Sequence, residues 1–470
     1  MIIPNTIKEA HEKIKSGELS IRTLVDSFLK NIEEKNKNIN AYIEVYSDID
    51  EQVKNAEKMF ADGSATEMTG IPVALKDNML FLGHKASSGS KILENYTATY
   101  NSTVVELLKN AGAIFLGRAN MDDSAMGSST ETSFYGITKN PLNTDLVPGG
   151  SSGGSAAALA MNGSFLSLGS DTGGSIRQPA AFCGLVGMKP TYGTVSRFGL
   201  MAMASSLDQI GPITKNVEDA ELLFNFINKY DKNDATSIPN NLRFENKKEV
   251  KKIGVPKSWV TGEGIEASVK ENFDKSIEAL KSLGYEIVDI DLPLSPYALA
   301  VYYILMPAEA SSNLSRYDSI RFGMSLPSNN LKEQYEKTRE AGFGKEVRRR
   351  ILLGTYILSH GYYDAYYGKA LALQKAIQKE YKDIFEKVDV IATPTSPFLA
   401  FPIGAKSNDP IAMKLSDLFT VPANIAGIPA ISIPSGSAEN NLKHSIQFMG
   451  PHFGETLLFE VAKKFEKNVQ

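Results

Sequence analysis

Three polar side chains sit in segments otherwise built of small or apolar residues, and each can take part in nucleophilic chemistry. Lys76 ends the apolar run Ile71-Pro72-Val73-Ala74-Leu75. Ser151 lies in Val147-Pro148-Gly149-Gly150-Ser151-Ser152-Gly153-Gly154-Ser155, and Ser175 in Gly169-Ser170-Asp171-Thr172-Gly173-Gly174-Ser175-Ile176-Arg177. A lysine held in low dielectric has a lowered pKa and can act as a base. A serine needs an adjacent base to attack an amide. No histidine lies near either serine turn in the sequence, so lysine is the candidate.

Each segment also has a plainer reading. The first serine turn, taken alone, reads as a flexible glycine loop. As a phosphate cradle it lacks the Lys that a P-loop requires. As a nucleophile elbow, Gly149, Ser151 and Gly153 fit GxSxG with Ser151 attacking. Pro148 speaks against that, because it cannot donate within a central strand. In the second turn, consecutive glycines let backbone N–H groups converge on one point, as an oxyanion hole needs. Otherwise it is a tight turn in which Asp171 and Arg177 pair structurally, and a structural role is expected for that ion pair. Lys76, alone, also reads as the end of a strand leaving the core.

Composition sets outer bounds. The 470 residues are 42% hydrophobic and 22% charged, ordinary for a globular chain and enough for a large core. Fifty basic and 54 acidic residues give a net charge of −4, so nucleic acid is not expected to bind through the overall field. The single Cys183 excludes a disulfide framework or a multi-cysteine metal site. The five histidines form no close pair, so no metal is expected, and a cytoplasmic location fits. Two uncharged stretches, 146–170 and 292–308, are too rich in Gly, Ser and Pro to be membrane spans.

The elements that must position these residues read as an α/β chain. Thr6 to Glu9 forms a capping box, and Ser20 caps a helix with Leu24, Val25, Phe28, Leu29 and Ile32 on one face. Strands are expected at 71–75, 114–116, 165–168, 253–255, 286–288, 388–392, 430–433 and 444–449. Helices are expected at 103–110, 155–161, 267–283 and 456–465, with 331–386 mostly helical. Residues 231–252 are polar and read as a surface excursion. Pieces from both ends are needed for one sheet, so residues 1–470 are taken as a single domain despite their length.

Together, Lys76, the GGSSGGS segment and the GSDTGGSIRQPA segment resemble the amidase signature family, with the motif running from Pro148 to Pro190. The resemblance implies that family's fold, a central mixed β-sheet covered by helices on both faces. It also implies a Ser–cis-Ser–Lys triad. Ser175 matches the acylated nucleophile and Lys76 the base. Ser151 matches the bridging serine, with its link to Ser152 beside a sharp turn. The N–H groups of Thr172, Gly173, Gly174 and Ser175 match the oxyanion hole.

A narrower resemblance is carried by 119–122, 125–131, 205–209, 307–314, 343–347 and 361–367. These are similar to the branch of the family that hydrolyses glutamine for tRNA-dependent amidotransferases. It implies that Tyr302, Arg350 and Asp417 bind the amino-acid end of glutamine, with Met126, Gly127 and Ser128 also lining the pocket. An Arg fork suits a carboxylate and an Asp an ammonium. Read alone, Arg350 belongs to a solvated helix face and Asp417 to a helix. The implied partners are GatB-like and GatC-like subunits, with tRNA reached through the complex. No cofactor is implied for this chain, while ATP and Mg2+ are used by the partner. Two positions depart from the family's usual pattern. Asp123-Ser124 stands where an acidic–Phe pair is usual, and Thr194 where Arg is usual. A stand-alone amidase and a non-catalytic scaffold remain the competing readings.

Overall fold

A computed structural model describes residues 3–244, 249–406 and 410–469. Among them, eleven strands form one sheet. In chain order these are β1 (Tyr42–Val45), β2 (Pro72–Lys76), β3 (Ile114–Ala119), β4 (Leu166–Asp171), β5 (Val186–Lys189), β6 (Gln209–Thr214), β7 (Lys252–Val255), β8 (Glu286–Asp289), β9 (Val390–Pro394), β10 (Ala430–Ser437) and β11 (Lys443–Met449). Their spatial order is β1-β3-β2-β4-β6-β5-β10-β11-β9-β7-β8. Strands from both halves of the chain therefore share one sheet. It is mixed: β2 runs parallel to β3 and β4, whereas β6 is antiparallel to both β4 and β5.

Helices complete the layers. Along β9, Val390 and Ala392 enter one core cluster and Ile391 another, as the period of two requires. The first cluster also takes buried residues of Ile21–Ile39, Val217–Ile227 and Glu455–Val469. The second takes those of Ala298–Asn313, Lys345–Leu358 and Lys369–Ile384. Local signals set several of these boundaries. The Ser20 hydroxyl accepts the Thr23 N–H at 3.0 Å, and Asn40 stops that helix with a left-handed φ of 57°. No helix among the described residues is long and apolar enough to cross a membrane.

Three strands have no forewarning in the sequence. β1 is a short edge strand, and β5 spans four residues with Gly187 inside. β6 carries Gly211 and Pro212, which read as breakers. Pairing between β5 and β6 ends at Gly187↔Ile213, so the missing N–H of Pro212 costs no ladder bond on that side. The 231–252 segment is only partly the expected surface excursion. Asp231 is buried and accepts from Ser196 Oγ at 2.6 Å and from Thr103 Oγ1, which ties its start to the body. Residues 245–248 lie outside the described residues.

The sheet gathers the polar motifs at the carboxyl ends of two adjacent inner strands. In register Leu75 faces Leu168 across the parallel pair β2–β4, so Lys76 and Ser170-Asp171 emerge together at the carboxyl ends. Crevices outside such ends are where open α/β sheets bind ligands.

Candidate active site

Lys76 is fully buried at the end of β2 and points into a shell of hydroxyls. Its Nζ lies 2.9 Å from Ser151 Oγ, 2.7 Å from Ser152 Oγ and 2.9 Å from Ser170 Oγ. It also donates to the Ser170 carbonyl at 3.3 Å. Among the described residues no carboxylate touches it, and burial pushes its pKa down to about 7 against the opposing pull of Asp122, Asp171 and Asp208. A substantial fraction of this lysine is therefore a neutral amine near neutrality, with a lone pair available to a serine proton.

The Ser151 turn is fastened from several sides. The Gly150–Ser151 peptide is cis, so Ser151 is itself the cis serine that the resemblance implies. The Gly150 N–H donates to Gln178 Oε1 at 2.9 Å, and the Gln178 amide donates to the Ser128 carbonyl at 2.9 Å. Helix Gly153–Ala160 starts directly after Ser152, two residues before the expected boundary. Glycines and alanines let it pack closely against β4, and every residue from Gly153 to Leu159 is buried.

The second turn leaves β4 and carries Ser175. The Ser152 N–H donates to the Ser175 carbonyl at 3.3 Å, joining the two serine segments. Ser175 is half-buried, and among the described residues its hydroxyl makes no hydrogen bond. Hydrogen bonds to a nucleophile are often loose before substrate binds. Asp171 holds the turn: it accepts from the Gly174 N–H at 2.8 Å and the Ile176 N–H at 3.2 Å. Arg177 grips the same carboxylate with Nε and Nη2, each at 3.0 Å, and Asn424 adds a bond at 2.8 Å. Burial alone would raise the Asp171 pKa, but Arg177 and these hydrogen bonds bring it down to about 2. The Asp171–Arg177 pair thus has the structural role expected of it, and what it supports is the Ser175 turn.

This arrangement corrects one expectation. The Gly174 N–H is committed to Asp171, so it is not a free oxyanion donor. The N–H groups of Thr172, Gly173 and Ser175 have no acceptor among the described residues. Gly173 is packed so closely that a Cβ there would lie 2.9 Å from the Tyr302 ring. Tyr302 therefore lies against the oxyanion turn.

The remaining expected residues form the adjoining wall. Ser128 Oγ donates to both oxygens of Asp417, at 3.3 and 3.1 Å. Asp417 is buried in a turn after helix Pro410–Leu415, not within a helix, and burial pushes its pKa up to about 7. Arg350 is 7% exposed, which corrects its reading as part of a solvated face. Arg348 and Arg349 are exposed, but Val347, Arg350, Gly354 and Ile357 share the inward stripe of their helix. Arg350 Nε bonds Glu346 at 2.7 Å, and its guanidinium lies 5.8 Å from the Tyr303 ring centre. A cavity of about 430 Å3 is lined by Met126, Gly127, Ser128, Tyr303 and Arg350, among others. Its lining stops short of Ser175, Tyr302 and Asp417, with Ser128 bridging to Asp417.

Some contributors are not evident from the motifs alone. Ser152 and Ser170 complete the lysine shell, Gln178 links the two walls, and Glu346 holds Arg350. Ser152 is visible as a second serine beside Ser151, and Glu346 as an acid four residues before Arg350 on one helix. Ser170 and Gln178 carry no such signal. Among the described residues no group of three or more His, Cys, Asp and Glu side chains is arranged for a metal ion.

Comparison with known proteins places the whole chain among amide-hydrolysing relatives. The family described as Amidase matches residues 23–459. The A subunit of glutamyl-tRNA(Gln) amidotransferase from Thermoanaerobacter pseudethanolicus is 51% identical, over 98% of this chain and 96% of that protein. The protein of the same name from Caldanaerobacter subterraneus is 50% identical over the same shares. The crystal structure of the corresponding glutamyl-tRNA(Gln) amidotransferase chain from Thermotoga maritima is 40% identical. It superposes with a TM-score of 0.79, covering 100% of this chain and 96% of that one.

Proposed function

The chain belongs to the amidase family, and we infer from its relatives of about 50% identity over nearly the whole chain that it is the glutamine-hydrolysing subunit of a tRNA-dependent amidotransferase. The observation that carries the chemistry is the buried Lys76, uncharged in part at neutral pH and 2.9 Å from Ser151 Oγ. Neutral Lys76 takes the Ser151 proton as Ser151 takes that of Ser175. The Ser175 oxygen then bonds to the carboxamide carbon of glutamine, and the carbonyl pair moves onto oxygen. The free N–H groups of Thr172, Gly173 and Ser175 face that developing charge. The C–N bond breaks as the relay returns a proton to nitrogen, and ammonia leaves. Water then cleaves the glutamyl ester by the same relay, giving glutamate and free Ser175.

Recognition follows from charge. Asp417 receives the α-ammonium of glutamine, and Arg350 presents its guanidinium to the α-carboxylate, with Tyr302 between them and the oxyanion turn. Met126, Gly127 and Ser128 shape the adjoining wall. This step uses no metal or organic cofactor. GatB-like and GatC-like subunits complete a cytoplasmic heterotrimer. The GatB-like subunit uses ATP and Mg2+ to activate the glutamate on Glu-tRNA(Gln), and the released ammonia amidates it.

The test is ammonia release from glutamine by this chain alone, then with both partner subunits, Glu-tRNA(Gln) and ATP. Strong stimulation in the complex is expected. Ser175→Ala removes glutamine-dependent amidation while leaving amidation by free ammonia intact. Fast release from many amides, indifferent to the partners, would instead establish a free-standing amidase.

A further inference from the structure

We propose that Thr420 is a positioning residue that fixes the oxyanion turn and couples it to the segment holding Asp417. Its hydroxyl is fully buried and lies 2.7 Å from the Gly173 carbonyl. The N–H of the same peptide unit belongs to Gly174 and donates to Asp171 at 2.8 Å. One peptide plane is thus clamped at both ends, by Thr420 on its oxygen and Asp171 on its nitrogen. Peptide planes rotate as units. The clamp therefore fixes the orientation of the flanking N–H groups of Gly173 and Ser175, the donors left free for an oxyanion. Were the plane to flip, the Gly173 carbonyl would turn toward the site and oppose the charge it should stabilise.

Shape and connectivity strengthen the assignment. Gly174 has a φ of +134°, and a Cβ there would lie 2.2 Å from Thr420 Oγ1, so the turn and the threonine are fitted without spare room. Thr420 Oγ1 lies 3.2 Å from the Asp417 carbonyl, and the Thr420 N–H also donates to that carbonyl at 3.2 Å. Arg177 closes the circuit by donating Nη1–H to the Thr420 carbonyl at 2.9 Å. One residue therefore touches both the oxyanion turn and the segment that presents Asp417.

This inference rests on the glutaminase reading, and the experiment separates the two. In the assembled complex, Thr420→Val and Thr420→Ser are compared with the native protein for glutamine hydrolysis and for the rate at which a fluorophosphonate labels Ser175. The valine removes the hydroxyl at nearly constant shape, and the serine retains it. Thr420→Val is expected to lower kcat and the labelling rate about 10- to 100-fold with KM for glutamine little changed, a fraction of the loss seen when an oxyanion donor is deleted. Thr420→Ser is expected to stay within about 3-fold of native, because it keeps the hydrogen bond. Native rates in Thr420→Val, an equal loss in Thr420→Ser, or a change confined to KM each overturn the proposal. Should Thr420→Val not fold, Thr420→Ala is read in its place by the same criteria, with Thr420→Ser as the control that retains the hydroxyl. No labelling of Ser175 in the native complex would instead refute the underlying site.

Discussion

Two buried groups with pKa values near 7 must both be deprotonated before free enzyme can use glutamine, and this sets a distinctive pH dependence. Lys76 is brought down to about 7 and is reactive only as the neutral amine. Asp417 is pushed up to about 7 and attracts an ammonium only as the carboxylate. Both active forms are gained as pH rises, so activity falls on acidification. At pH 5 each group is about 1% in its active form, so kcat/KM falls roughly 10,000-fold from its alkaline plateau. In log units its acid limb approaches a slope of two. Bound glutamine keeps Asp417 ionised through its own ammonium, so kcat loses only the Lys76 factor, about 100-fold, with a slope of one. The assay is ammonia release by the assembled complex from pH 5 to 8.5, with full saturation curves at each pH. Asp417→Asn removes one titration, so the kcat/KM slope drops to one at a lower overall level. A kcat that stays flat between pH 5 and 8 would refute the neutral-lysine mechanism. A wild-type slope unchanged by Asp417→Asn would refute the assignment of the second group.

Other outcomes follow from the same geometry. Arg350→Lys replaces a planar fork with a single ammonium and should raise KM for glutamine about 10- to 100-fold while largely sparing kcat, read from saturation kinetics. Asp171→Asn leaves the Arg177 charge buried without a counter-ion and should cost about 3–5 kcal/mol, measured by denaturant unfolding. Lys76→Met should abolish glutamine hydrolysis. It should also raise stability at pH 8, because the native lysine, charged when unfolded, must be neutralised on folding. That penalty is about 3 kcal/mol at most, and hydroxyls left unpaired reduce the gain. A mutant less stable than native would show that the hydroxyl shell, not the lost charge, dominates at this position.

The strong local patterns were legible in the sequence. Ser20 before an apolar stripe gave the helix at 21–39, and the run at 71–75 gave β2 with Lys76 at its end. The two glycine–serine turns announced backbone placed for chemistry, and their family likeness named Lys76, Ser151 and Ser175 together. These features were readable because capping, amphipathic spacing and glycine permissiveness act within a few residues. The weak strands were not. β5 and β6 contain Gly and Pro, and only pairing on both sides makes them strands.

Tertiary structure alone decided the electrostatics and the division of labour among donors. Lys76 and Ser170 are 94 residues apart, and only the parallel register of β2 and β4 brings them within 2.9 Å. The lysine owes its depressed pKa to complete burial beside hydroxyls, which no stretch of sequence encodes. Arg350 looked like its neighbours Arg348 and Arg349 until packing chose which of the three faced inward. Gly174 looked like an oxyanion donor until Asp171 was seen to take its N–H. Residue type and spacing fix which groups can react. Desolvation and hydrogen-bond partners depend on everything packed around a group, so they fix which of those groups will.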